Sequence, residues 1–197
     1  DIDIFQPILE GIDKNISGLE RKERFVIADH LRAITIGIAD GVVPSNEGRG
    51  YVMKKLIIDI TDIMLRAGGK KATIHKLVSN VVTSMKAGYP DLEKKEKDII
   101  GIVKNVEESY IKVRQKRIPE LEKQVKELIK NKDNSSSEKM GNILFVFRDS
   151  YGLAIPTLQS TIKELVGNQL SDSELKNAWE IFDQLMLHAI AAARHNH

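Results

Sequence analysis

The sequence contains no cysteine, which excludes disulfides, thiolate nucleophiles and thiolate metal sites and fits a reducing compartment. It also lacks any apolar run approaching the ~20 residues that a membrane-crossing helix needs, and its amino terminus has neither a basic n-region nor a small-residue cleavage site. We therefore expect a cytoplasmic protein with no membrane partner, in which the sequons at Asn15 and Asn134 carry no sugar. Aromatics are scarce at 5%, and the single tryptophan, Trp179, falls on an apolar helical stripe and reads as core. An excess of one charge is missing too. Thirty Lys and Arg face 28 Asp and Glu, and a formal charge of +2 is too small to diagnose a nucleic-acid binder from the total. Catalytic patterns are absent: there is no Gly-x-Ser-x-Gly and no His-Glu-x-x-His, and the five histidines lack ligand spacing except the terminal His195-x-His197. The first residue is Asp rather than Met, from which we expect a piece of a longer protein.

What is present is apolar periodicity. At 197 residues, 42% hydrophobic and 29% charged, the chain has enough apolar material for one good core or two small ones. Ile27, Leu31, Ile34 and Ile38 recur at the spacing of one helix face, and Gly41 just beyond is a helix stop. A second stripe (Val52, Leu56, Ile57, Ile60, Ile63, Met64) predicts a helix from about Arg49 to Arg66, and a third predicts one over 72–87. From Asp91 to about Asn131 runs a long charged helix, which Pro119 should kink or divide. It carries twelve of the basic residues between 93 and 132 against eight acidic ones, reading either as a solvated spacer or as a surface presenting Lys112, Arg114, Lys116 and Arg117 to phosphates. The polar stretch 132–140 reads as a linker, and Ile143 to Phe147 as one very short strand. Ser171-Asp-Ser-Glu174 has capping-box chemistry for the last helix. The expected fold is all-α, with a helical subdomain over 1–131, the linker, and a second small helical subdomain over 141–197.

Between the first two stripes lies Val42-Val-Pro-Ser-Asn-Glu-Gly-Arg-Gly50. Pro44 fixes one φ, Ser45 or Asn46 can cap the next helix, and Gly48 and Gly50 permit close backbone approach. Lys54 and Lys55 follow in the early turns, where cations oppose the helix dipole, so either they are solvated or an anionic partner sits nearby. No strand precedes the Gly-Arg-Gly turn and no Gly-Lys-Ser/Thr follows it, which argues against a nucleotide site.

The run from Ala28 to Val52, reading ADHLRAITIGIADGVVPSNEGRGYV, resembles the segment that follows the catalytic core in alanyl-tRNA synthetases. Asp1-Ile-Asp-Ile-Phe5 is similar to that family's segment just after class II motif 3. Phe147-Arg-Asp-Ser-Tyr-Gly-Leu-Ala-Ile-Pro156 resembles its second signature, Leu-Tyr-Asp-Thr-Tyr-Gly-Phe-Pro, with Phe147-Arg148 in place of Leu-Tyr and Leu153-Ala154 in place of Phe-Pro. The Gly18-Leu-Glu-Arg21 found in class II motif 3 lacks its preceding strand and reads as coincidence.

The resemblance implies a tRNA-recognition region of an alanine–tRNA ligase, in which Asn46 and Asp149 read the G·U wobble pair of the tRNA-Ala acceptor stem. A carboxamide and a carboxylate can accept the unpaired guanine amino group in the shallow minor groove of A-form RNA. Arg49, Lys54 and Lys55 would contact the backbone. The implied partners are the acceptor stem and the catalytic and editing domains of the parent enzyme. ATP and Mg²⁺ would belong to that parent, and no cofactor or metal site is recognisable in this stretch. Two alternatives stand beside this reading: a non-catalytic helical protein-interaction module, and a nucleotide-binding enzyme using the Gly-Arg-Gly loop.

Overall fold

The structure is a computed structural model that describes residues 3–195, without the side chain of His195; Asp1, Ile2 and His197, which entered two of the motifs above, lie outside it. Among the described residues the fold is all-α, with no strand. The chain divides into two compact units, one up to Lys112 and one from Val113 onward. That division falls inside the long charged helix, upstream of the linker expected at 132–140.

The first unit comprises α1 (Gln6–Asn15), α2 (Arg21–Ala39), α3 (Gly48–Arg66), a 3-10 turn (Ile74–Leu77), α4 (Val78–Met85) and the first part of α5 (Leu92–Lys130). The predicted face of α2 is the buried one: Ile27, Leu31 and Ile34 are fully enclosed, together with Ile57 and Ile60 of α3. Each such side chain contributes ~1.5–3 kcal/mol when taken out of water. Pro7 is tolerated because it sits in the first turn of α1, where its missing N–H would have no helical partner. Residues 17–21 form the turn into α2, with Gly18 at φ 78° and the Glu20 N–H donating to the Glu23 carboxylate at 2.9 Å. The Gly-Leu-Glu-Arg string is thus a turn and a helix start.

Two carboxylates buried in this unit were invisible as such in the sequence. Glu107 of α5 is fully enclosed and accepts the backbone N–H groups of Thr73 and Ile74 at 2.7 Å each and of His75 at 3.2 Å, and it lies 2.8 Å from His75 Nδ1. These N–H groups open the 3-10 turn that runs into α4, where backbone donors lack helical partners and negative charge is favoured. Asp62 of α3, 1% exposed, accepts the Tyr110 hydroxyl at 2.6 Å and Arg66 Nε at 3.0 Å. Glu107 and Tyr110 stand three apart on one face of α5. The first part of that helix is therefore a core element rather than a solvated spacer.

The second unit contains the rest of α5, α6 (Ser136–Asp149), α7 (Ile155–Val166) and α8 (Asp172–His195). Three expectations are corrected here. The short strand at 143–147 is instead the end of α6: Met140, Leu144 and Phe147 are buried while Asn142 and Val146 are exposed, which is helical period. A five-residue apolar run cannot distinguish strand from helix by composition, and packing against α8 decides. The linker at 132–140 is largely the start of α6, where the Asp133 carboxylate accepts Ser135 N–H at 2.9 Å and Ser135 Oγ–H at 2.7 Å, and Ser136 is buried. Of the kink or division expected at Pro119, the division does not occur, since α5 runs as one helix from Leu92 to Lys130. Proline's missing N–H and ring clash cost ~3 kcal/mol, which burial of Leu121, Val125 and Leu128 beyond it outweighs. The last helix begins as its capping box predicts: Ser171 N–H donates to Glu174 Oε2 at 2.8 Å and Glu174 N–H donates to Ser171 Oγ at 3.2 Å. Trp179 is half-buried, edge-on to Phe182 at 5.2 Å, consistent with its reading as core. No helix among the described residues is long and apolar enough to cross a membrane.

Candidate nucleic-acid interface

The loop between α2 and α3 is fixed at both ends by its glycines. Gly41, at φ 93°, ends α2 in a Schellman turn: its N–H donates to the Ile38 carbonyl at 2.9 Å and the Val42 N–H donates to the Gly37 carbonyl at 3.0 Å. At the other end Gly50 is buried, and a Cβ there would overlap Ser45 Oγ and the Val43 carbonyl. Only a glycine lets the loop lie this close to the first turn of α3, with Ser45 N–H donating to the Gly50 carbonyl at 3.0 Å. The close approach foreseen for Gly50 is therefore made inside the protein. Gly48, by contrast, has open space around it.

Neither Ser45 nor Asn46 caps α3. The N-cap position belongs to Glu47, and the Ser45 hydroxyl is spent on the Glu47 backbone, donating to its carbonyl at 3.0 Å. The exposed Asn46 amide is thus released from capping, and its Oδ1 accepts a hydrogen bond from Lys54 Nζ at 2.8 Å. Lys55 pairs with Asp59 one turn further on, Nζ to Oδ2 at 2.6 Å. Arg49 is exposed and forms no ion pair among the described residues. The structure therefore groups Asn46, Arg49, Lys54 and Lys55 at one end of α3, with the two lysines already engaged. A separation of eight across a loop-to-helix junction has no periodic signature, so the Asn46–Lys54 contact was not readable in the sequence.

Asp149 belongs to the second unit. It is the last residue of α6, exposed, and its carboxylate makes no hydrogen bond among the described residues. An acidic group at a helix carboxyl terminus opposes the dipole, so local helix energetics give no reason for its presence. The turn beyond it is closely determined: Gly152, at φ 74°, donates its N–H to the Arg148 carbonyl at 3.0 Å, and Leu153 donates to the Phe147 carbonyl at 3.1 Å. The departures from the family signature are accommodated. Phe147, Leu153 and Ala154 are buried, while Arg148 Nη1 donates to the Leu153 carbonyl at 3.2 Å. The Tyr151 ring carries the Arg117 guanidinium 3.7 Å from its centroid, and Arg117 also pairs with Glu120 at 2.6 Å, so Arg117 is engaged in the fold. Lys112 and Lys116 are exposed.

The chain belongs to the class II tRNA synthetases: its residues 1–193 match the family described as "tRNA synthetases class II (A)". Within that class it corresponds to a region of alanyl-tRNA synthetases. It is 34% identical over 156 residues to the alanine–tRNA ligase of Neisseria meningitidis, covering 77% of this chain and 17% of that protein. Likeness to the alanine–tRNA ligase of Orientia tsutsugamushi is 32% over 169 residues, 83% of this chain and 18% of that protein. For Paraburkholderia xenovorans the figures are 30% over 166 residues, 83% and 19%. The chain thus spans less than a fifth of the length of these relatives. Among the described residues no group of three or more His, Asp or Glu side chains converges to hold a metal ion.

Proposed function

We propose that this chain binds the acceptor stem of tRNA-Ala and reads its G·U wobble pair from the minor groove through Asn46 and Asp149. Aminoacylation with ATP and Mg²⁺ then belongs to other parts of a larger cytoplasmic alanine–tRNA ligase, whose catalytic and editing domains are partners of this region. The observation that carries the reading is the state of the two side chains. Both signature positions present exposed polar groups relieved of the structural duties that such residues usually hold in caps and turns, on backbone that glycines and packing fix closely. Polar groups held this way act as base-edge readers, whereas the exposed cations supply attraction to phosphates without sequence preference. Arg49 is the freest cation beside Asn46.

Titration of the chain with a minihelix carrying G·U and with its G·C variant tests this. Asn46→Ala and Asp149→Ala should each cost ~1–3 kcal/mol on the G·U stem and flatten the preference over G·C, with the salt slope nearly unchanged. Equal weakening of both stems in a protein of intact helicity refutes base-pair reading. Failure to bind either stem favours the helical interaction module instead, with the charged helix α5 as its partner surface.

A further inference from the structure

We infer that Lys54 is a positioning residue for Asn46: it locks the amide so that Asn46 offers its N–H groups to the RNA, leaving Asp149 as the acceptor of the guanine amino group. This rests on the reading of Asn46 and Asp149 given above. An ammonium has three donors and no acceptor, so the atom facing Lys54 at 2.8 Å must be the amide oxygen whichever way the amide is drawn. The bond is charge-assisted, which favours that orientation over the flipped one, in which Lys54 would face the NH₂ group. One lone pair on Oδ1 remains, but a guanine amino group arriving there would bring its positive hydrogen into the field of the ammonium. An incoming acceptor meets the opposite situation, because the ammonium polarises the amide and strengthens its N–H groups as donors. Purine N3 and pyrimidine O2 are the acceptors that a minor groove offers.

The loop makes such a lock effective. Ser45 is held against Gly50 and the Glu47 backbone, so the Asn46 backbone is fixed and only its side-chain torsions remain free. Lys54 removes those. Lys54 then contributes to selectivity through Asn46 and does not grip a phosphate. The ammonium of Lys55, bonded to Asp59, takes no part in this lock.

Two consequences separate this role from its competitors. First, Asn46 and the guanine amino group should be independent. On a stem with inosine in place of guanine, which lacks that amino group, Asn46→Ala should cost the same factor, at least about fivefold, as on the G·U stem. Asp149→Ala should cost little on the inosine stem. Second, Lys54 and Asn46 should be coupled. Lys54→Met should reproduce the loss seen with Asn46→Ala, add nothing in the Asn46→Ala background, leave the salt slope unchanged, and be rescued by Lys54→Arg, which keeps a charged donor.

The experiment is therefore titration of the whole 197-residue chain and these variants with G·U, inosine·U and G·C minihelices at several salt concentrations. The side-chain amide signals of Asn46 are recorded by NMR on the free protein. If the effect of Asn46→Ala vanishes on the inosine stem, the amide is an acceptor and the inference is overturned. If Lys54→Met weakens every stem in the Asn46→Ala background and lowers the salt slope by about one, Lys54 is a phosphate contact and the inference is overturned equally. Asn46 amide signals unmoved by Lys54→Met would show that the lock does not exist in solution. Should Asn46→Ala itself leave the G·U preference intact, or should no stem bind, it is the reading of the proposed site that fails, while the NMR result still decides the lock.

Discussion

The two compact units are stabilised by opposite uses of carboxylates. In the first, Glu107 and Asp62 are buried and serve as internal connectors, one joining α5 to the start of the 3-10 turn and the other joining α3 to α5. In the second, the core is almost wholly apolar, and the organising carboxylates, Asp133 and Glu174, lie at the exposed starts of α6 and α8. A buried carboxylate must be satisfied completely, so it fixes its neighbours in one arrangement; an exposed one is replaceable by water at small cost. The unit that carries the Asn46 loop is thus the one held by the less forgiving interactions.

Glu107→Ala breaks this contrast most sharply. It leaves three backbone N–H groups without their acceptor in the interior, and should cost ~3–5 kcal/mol in urea or thermal unfolding. Glu107→Gln should recover only part of that, because its NH₂ group cannot accept. A loss below about 1 kcal/mol for Glu107→Ala would mean that water replaces the carboxylate and that the two units differ less than the structure indicates.

Glycine substitutions sharpen the comparison at intermediate size. Gly50→Ala drives a Cβ into Ser45 Oγ and the Val43 carbonyl, and should cost ~1–3 kcal/mol while displacing the Asn46 loop. In the second unit Gly141→Ala meets Ile181 Cγ2 at 2.7 Å and the Ala178 carbonyl at 2.9 Å, so α6 and α8 must separate slightly. Amide chemical shifts should move in the first unit for Gly50→Ala and in the second for Gly141→Ala. Shifts from Gly50→Ala that spare residues 42–49 would show that the glycine does not position the loop.

The smallest effect is that of acid on the second unit. Hydrogen bonding from Lys139 and Ser135 holds the Asp133 carboxyl at about 2, below its ordinary 3.8. The Ser171 N–H, with Lys132, holds Glu174 at about 2, below its ordinary 4.5. Both are lowered in the folded state, so their stabilisation is fully present above the unfolded values and is lost as pH falls from about 4.5 through about 2. Asp133→Asn and Glu174→Gln should flatten the acid limb of the second unit's unfolding curve in that window. An unchanged limb would show that these caps do not contribute.

Local pattern was enough for much of the fold. The buried face of α2, the Ile57, Ile60 and Met64 part of that of α3, the stop at Gly41 and the box at Ser171–Glu174 follow from 3.6-residue periodicity and terminal chemistry, which act within a turn or two of chain. Val52, expected inside, is exposed, and Met53 and Asp62 are buried instead. The run 143–147 shows the limit: its residues are apolar on every side, and only the neighbouring α8 selects helix over strand. Residues 132–139 show the same limit from the polar side, since low hydrophobicity concealed a helix start built by Asp133 and Ser135.

By itself the sequence determined the class of fold, the placement of the signature loop and, through resemblance, the family that residues 1–193 match. Tertiary structure decided what individual polar side chains do. It made Glu107 an internal connector in what read as a solvated helix, took capping away from Asn46, and gave Asn46 to Lys54. The physical reason is range: hydrophobic periodicity is written in consecutive residues, whereas hydrogen-bond partners are chosen across 34 residues for Glu107 and Thr73, or across a loop-to-helix junction for Asn46 and Lys54, and no local pattern records that choice.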